Sequence, residues 1–209
     1  MQAEKLFTEE EKERIRQAVT AAEQKTSGEI VPVVVSASAR YTEIELLGVV
    51  VGLGIGTLAA AFYVNPWGHD FVYLWPMLGA GAGFFICRIP WIKRRTVSRQ
   101  RMDEAVLQRS LATFTAEGLH QTRDHTGILI FVSLLEHDVE VLADKGINEK
   151  VPQGTWNEVV RIVTAGLKSG QGGDAFCKAI ERCGAILSEH FPRSPDDKDE
   201  LSNRLVTGE

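Results

Sequence analysis

Cysteine is scarce in this chain. Cys87, Cys177 and Cys183 are the only three among 209 residues. Three is too few for a disulfide framework, and an odd count argues against one. Cys177 and Cys183 stand six apart, about 240° around a helix at 100° per residue, so they read as small core residues. There is no basic excess either: the net charge of -5 excludes the footprint of a nucleic-acid binder. The opening Met-Gln-Ala-Glu-Lys lacks the charged-then-apolar order of a signal peptide. No Walker loop, Gly-x-Ser-x-Gly elbow, His-Glu-x-x-His or zinc-finger cysteine spacing occurs. With 44% hydrophobic and 24% charged residues, the chain is neither disordered nor collagen-like.

Charge itself is absent from two stretches, Leu46 to Val64 and Phe71 to Cys87. As helices they would extend roughly 25–29 Å, about the thickness of a bilayer's hydrocarbon core. Asn65-Pro66-Trp67-Gly68-His69-Asp70 between them is turn chemistry. The spacing predicts a transmembrane hairpin with helices at about 46–64 and 71–87. The alternative, two buried core helices, would need an unusually large core. Tyr41, Tyr63, Tyr73, Trp67 and Trp91 cluster near the ends of the runs, where interfacial rings sit.

Arg88, Lys93, Arg94, Arg95, Arg99 and Arg101 follow the second run with no acid among them, leaving the remainder of the chain at -11. The positive-inside rule puts this collar in the cytoplasm, the turn outside, and both termini inside. The expected location is the inner membrane, with the collar touching anionic lipid. Gly48, Gly52 and Gly56 in the first run, and Gly79 and Gly83 in the second, repeat at the spacing that lets membrane helices approach closely. That stripe suits packing within one hairpin, and also homo-oligomerisation.

The polar parts read as one α/β domain split by the hairpin. Thr8 and Glu11 form a capping-box pattern before a helix carrying Ile15, Ala18, Val19 and Ala22 on one face. Ile30 to Val35 reads as a strand, with Pro32 implying an edge or irregular position. Leu107, Leu111 and Phe114 mark a helix. Gly127–Ser133 and Val139–Ala143 make a hairpin, and two further helices carry Trp156 to Leu167 and Phe176 to Leu187. The predicted fold is a small three-layer-like α/β domain: a short mixed sheet flanked by helices and interrupted by the two-helix hairpin. Its parts are residues 1–39 and 101–191, with the hairpin and collar at 40–100. A mobile acidic tail is expected over 192–209.

Three motifs in that order resemble the TPM domain family: Thr26-Ser27-Gly28-Glu29-Ile30, Thr126 to Ser133, and Val139 to Ile147. The resemblance is greatest with bacterial membrane proteins carrying an inserted hairpin. It implies an α/β fold, with phosphatase activity and divalent-metal binding as family expectations. The family often carries Arg where Asp138 stands, so no role of that basic side chain transfers here. On the residues alone, Asp144, Glu149 and Glu29 are placed at one end of the sheet, where carboxylates would suit Ca²⁺ or Mg²⁺. Glu136, His137 and Asp138 fall at the opposite end. With no catalytic set, the functional expectation is a membrane-anchored module for interaction, assembly or quality control, with a protein partner or a second copy. A weak metal-dependent phosphatase is the alternative.

Overall fold

The computed structural model describes residues 3–63, 73–194, 196–197 and 199–208. The expected turn at 65–70 lies outside them. Two compact units result, one formed by residues 1–38 and 103–209, the other by 39–102.

The first unit is built on four strands: β1 (Glu29–Val35), β2 (Gly127–Ser133), β3 (Asp138–Ala143) and β4 (Val206–Gly208). Their spatial order is β3-β2-β1-β4. β1 runs parallel to both β2 and β4, whereas β2 and β3 are antiparallel, so the sheet is mixed as expected. Every residue of β1 and β2 is buried, as their unbroken apolar runs require of strands covered on both faces.

The covering layers follow from helical periodicity. α1 (Glu9–Glu23) starts in the anticipated capping box, with the Glu11 N–H donating to Thr8 Oγ1 at 3.2 Å and the Thr8 N–H to Glu11 Oε2 at 2.9 Å. Its Ile15 and Val19, Val159 and Val163 of α7 (Asn157–Lys168), and Phe176, Ile180 and Leu187 of α8 (Gly172–His190) pack with Ile30, Val34, Ile128 and Ile130. The opposite face, carrying Val31, Val33, Leu129 and Phe131, is covered by Val106 and Phe114 of α5 (Arg99–Ala116) and by Leu119. The sheet therefore lies between two helical layers. The short α6 (Lys145–Lys150) follows β3.

Two details differ from expectation. Residues 192–209 are not simply a mobile tail: Val206–Gly208 add β4 beside Val33–Val35, and Leu205 joins the core. A three-residue strand flanked by acidic sequence gives little periodic signal, yet Leu205 and Val206 are apolar enough to seat it. Pro32 lies in a strand paired on both sides, but β4 reaches only as far as Val33. The first half of β1 is thus an edge. There Pro32 has no N–H to satisfy, and the Ile30 N–H donates to Glu23 Oε1 at 3.0 Å.

The second unit contains α2 (Thr42–Tyr63), α3 (Leu74–Cys87) and α4 (Pro90–Thr96), with the start of α5. α2 and α3 pack against each other through their glycines. A Cβ on Gly52 would overlap the Gly79 carbonyl oxygen, one on Gly56 the Trp75 carbonyl, and one on Gly83 the Gly48 carbonyl. Only hydrogen at these positions lets the two backbones touch. Gly54 and Gly81 face open space.

Candidate functional site

Two of the predicted metal-site residues, Glu29 and Asp144, lie at one end of the sheet. Glu29 pairs in register with Gly127, and the Asp144 N–H donates to the Gly127 carbonyl at 2.8 Å, so Glu29, Gly127 and Asp144 lie in a row across three strands. Two strand spacings separate Glu29 from Asp144, about 10 Å. Asp144 and Glu29 are each bonded within the chain. Asp144 caps α6, accepting the Lys145 N–H at 2.7 Å, and its other oxygen lies 3.1 Å from His125 Nδ1. Glu29 accepts the Glu200 N–H at 3.0 Å. Glu149 is exposed on α6. Among the described residues, no group of three or more His, Cys, Asp and Glu side chains stands close enough to hold a metal ion. Glu29 and Asp144 share an end of the sheet without converging, and Glu149 lies exposed on α6, so the three do not fit a Ca²⁺ or Mg²⁺ cage as they stand. Gly146 beside Asp144 packs on the chain itself: a Cβ there would lie 2.5 Å from the Asp124 carbonyl oxygen.

Sequence reasoning missed two residues at this end. His125, held at φ 54°, forms the pair with Asp144; the carboxylate is largely covered while the imidazole is exposed. A carboxylate that orients an exposed imidazole is the minimal arrangement for acid–base chemistry. Glu23 is the other. Only 3% of it is exposed, and burial pushes its carboxyl up to about 8, with the nearby Glu29 and Asp199 adding to the shift and Arg193 opposing it. Glu29 is shifted upward for the same first reason, burial. One oxygen of each, Oε2, is buried without a hydrogen-bond partner. The signal for Glu23 was present in the spacing, since it follows Ile15 and Val19 at four-residue intervals on the buried face.

The Glu136-His137-Asp138 cluster separates at the other end. Glu136 is buried, accepting the Ser38 N–H at 3.1 Å and the Ser133 hydroxyl, while the Ser38 hydroxyl donates to Ser133 Oγ at 2.9 Å. This carboxylate ties the exit of β1 to the end of β2. His137 and Asp138 stand instead at the rim of a cavity. Cys177 and Cys183 are free thiols, and burial pushes Cys183 up to about 12, leaving it protonated and inert.

In the second unit the collar residues differ in role. Lys93 Nζ donates to Glu45 Oε1 at 2.7 Å and to the Arg40 carbonyl at 3.0 Å, with both side chains of the ion pair largely covered. Arg88 lies over the Phe84 ring at 5.4 Å. Arg101 approaches Glu43 at 3.9 Å. Arg94, Arg95 and Arg99 are exposed.

A mixed four-stranded sheet between helical layers, with acids at one end tied to a cap and to backbone, defines an α/β domain. Residues 95–186 match the model of the TPM domain. The motif at Thr26–Ile30 lies outside that match but forms the entry to β1 in the same sheet. The fold is similar to that in the NMR structure of BA42 protein from the psychrophilic bacterium Bizionia argentinensis, with a TM-score of 0.61 and 21% identity over 97% of this chain and 95% of that one. No curated protein matches the chain.

Proposed function

We propose that the chain is a membrane-anchored TPM-domain protein. In this reading α2 and α3 cross the inner membrane as a hairpin, the basic collar and the α/β unit face the cytoplasm, and the α/β unit serves interaction, assembly or quality control at the membrane. The observation that carries it is the combination of apolar composition and exposure in the second unit. Thr42–Phe62 is long and apolar enough to cross a membrane, yet only 22% of its apolar window is buried. α3, a shorter apolar helix, has no buried residue. Leu58, Phe62, Met77 and Phe85 are each more than 60% exposed. A water-soluble core helix would bury such side chains, whereas lipid accepts them. The glycine faces are used by the two helices on each other, which supports packing within one chain over oligomerisation through the same stripe.

Alkaline carbonate extraction of membranes tests the anchor. The full chain should remain in the pellet, and a variant lacking residues 40–100 should be released; release of both would overturn the reading. The interaction role is tested by detergent pull-down with and without the α/β unit, where a partner dependent on that unit is the expected result.

The His125–Asp144 pair favours one second reading, hydrolysis of a phosphate ester with His125 as the acid–base group. Turnover of a generic phosphate ester with and without added Mg²⁺ or Ca²⁺, compared with Asp144→Asn, tests it. Equal rates in the two proteins would remove Asp144 from any such site.

A further inference from the structure

β3 is an edge of the sheet, bonded to β2 on one side only. One bond fixes which of its backbone groups point outward. The Asp144 N–H donates to the Gly127 carbonyl, so residue 144, and by alternation 142, 140 and 138, turn their N–H and C=O toward β2. Val139, Val141 and Ala143 turn theirs away from it. A groove of about 420 Å³ runs along this outer edge, walled by Asn148, Trp156, Asn157 and Val160.

Two of the outward groups are met within the chain. The Val139 N–H donates to Asp138 Oδ1 at 2.9 Å, and Asn148 Nδ2 donates to the Ala143 carbonyl at 2.6 Å. The Val139 carbonyl, both groups of Val141 and the Ala143 N–H make no bond among the described residues. Trp156 lines the groove too, and its buried indole N–H has no acceptor among the described residues. A row of unpaired backbone groups on a sheet edge is a template for another strand.

The pattern of free and occupied groups selects that strand. An antiparallel strand centred on Val141 meets every free group. It also brings one N–H and one carbonyl of its own against the two groups that Asp138 and Asn148 have taken. In an unrelated antiparallel peptide those two go unanswered. In a second β3 they are its own Val139 N–H and Ala143 carbonyl, already held by its own Asp138 and Asn148. Centring the pair on Glu140 or Leu142 instead sets a free group of Val141 against an occupied one. Centring on Glu140 also opposes that acid to itself. With Val141 at the centre, Glu140 faces Leu142. Asp138 then faces Asp144 past the ends of the ladder, where the Asp144 carboxylate is held by the Lys145 N–H and His125.

We infer that a second copy of this chain docks edge to edge on β3, about a two-fold axis at Val141, and joins the two sheets into one. Hydrogen bonds cross the axis between the two Val141 residues, and from each Ala143 N–H to the Val139 carbonyl of the other copy. The interface belongs to the α/β unit alone and does not depend on the membrane reading.

Disulfide trapping tests it on the full chain in detergent, with Cys87, Cys177 and Cys183 replaced by Ala. Across the axis the two Val141 Cα atoms would stand about 5.5 Å apart, within disulfide reach. The two Val139 residues would be offset along the strands by about 13 Å. Val141→Cys should therefore cross-link to a dimer on mild oxidation, and Val139→Cys should not. Light scattering, corrected for bound detergent, should give the mass of two chains for the native protein and of one chain for Val141→Pro. Proline there removes an N–H that bonds nothing among the described residues, so the fold should hold. If Val141→Pro does not fold, the trapping pair decides alone. A single-chain mass for the native protein would overturn the proposal. So would equal trapping at 139 and 141, or a dimer that survives in folded Val141→Pro.

Discussion

Replacing Glu23 by Gln should stabilise the α/β unit, and should do so more strongly as pH rises. Glu23 ends α1, is 3% exposed, and accepts the Ile30 N–H through Oε1 while Oε2 has no partner. Burial, then the charges of Glu29 and Asp199, raise its carboxyl from 4.5 to about 8, against the Ile30 N–H it accepts and, less, the charge of Arg193. A group whose folded pKa is raised contributes stability that is complete below its unfolded pKa. That stability is lost as pH climbs through the folded value. Between pH 4.5 and 8 the folded chain must therefore hold a proton that the unfolded chain releases. At 1.36 kcal/mol per pH unit this costs roughly 3 kcal/mol at pH 7 and about 5 kcal/mol above pH 8, as upper figures. Gln keeps the carbonyl acceptor for Ile30 and needs no proton. Its buried amide offsets part of the gain, so a net of about 2 kcal/mol at pH 7 is expected. For a unit of this size that corresponds to roughly 4–8 °C in Tm. Thermal unfolding of the full chain in detergent, followed by near-ultraviolet circular dichroism from pH 5 to 9, measures it. The two proteins should converge near pH 5 and separate above pH 7. Parallel profiles with the same slope would refute the reasoning.

Other outcomes are as specific. Glu136→Ala leaves the buried Ser38 N–H and the Ser133 hydroxyl without their acceptor and should cost about 2–4 kcal/mol, measured by urea unfolding. Removing residues 205–209 deletes the buried Leu205 and β4, costing about 2 kcal/mol and exposing the Ser36 amide, which bonds the Gly208 carbonyl at 3.0 Å, to faster hydrogen exchange. Unchanged exchange at Ser36 would show that β4 does not hold. Gly52→Val should push α2 and α3 apart by roughly 1–2 Å, read from spin-label distances, whereas Gly54→Val, which faces open space, should not.

The parts of the fold that the sequence made legible are those with strong periodicity or unbroken apolar runs. β1 and β2 are continuous Val/Ile/Leu segments, and burial on both faces is what such composition requires. Thr8 and Glu11 announced the start of α1 because a capping box is local chemistry. β4 was not legible, since three residues carry no period and their partner is more than 170 positions away. Strand counting puts Glu29 and Asp144 in one row through Gly127, while Glu149 lies on α6. Strand counting could not say where the side chains go: Asp144 is consumed by a helix cap and by His125, and Glu29 by the segment at Glu200. His125 precedes β2 in a left-handed conformation that no spacing rule marks. The Gly-x-x-x-Gly stripes were read for close packing, and the contacts between Gly52 and Gly79 and between Gly48 and Gly83 give that packing a location inside one hairpin.

The central claim is that a hairpin anchors a cytoplasmic α/β unit, and accessibility to a membrane-impermeant thiol reagent tests it most directly. In a chain with Cys87, Cys177 and Cys183 replaced by Ala, a single cysteine is placed at His69 or at the exposed Glu181. The account predicts labelling at position 69 in intact spheroplasts and at position 181 only after the membrane is opened. Labelling of both positions, or of 181 alone, in intact spheroplasts would contradict it.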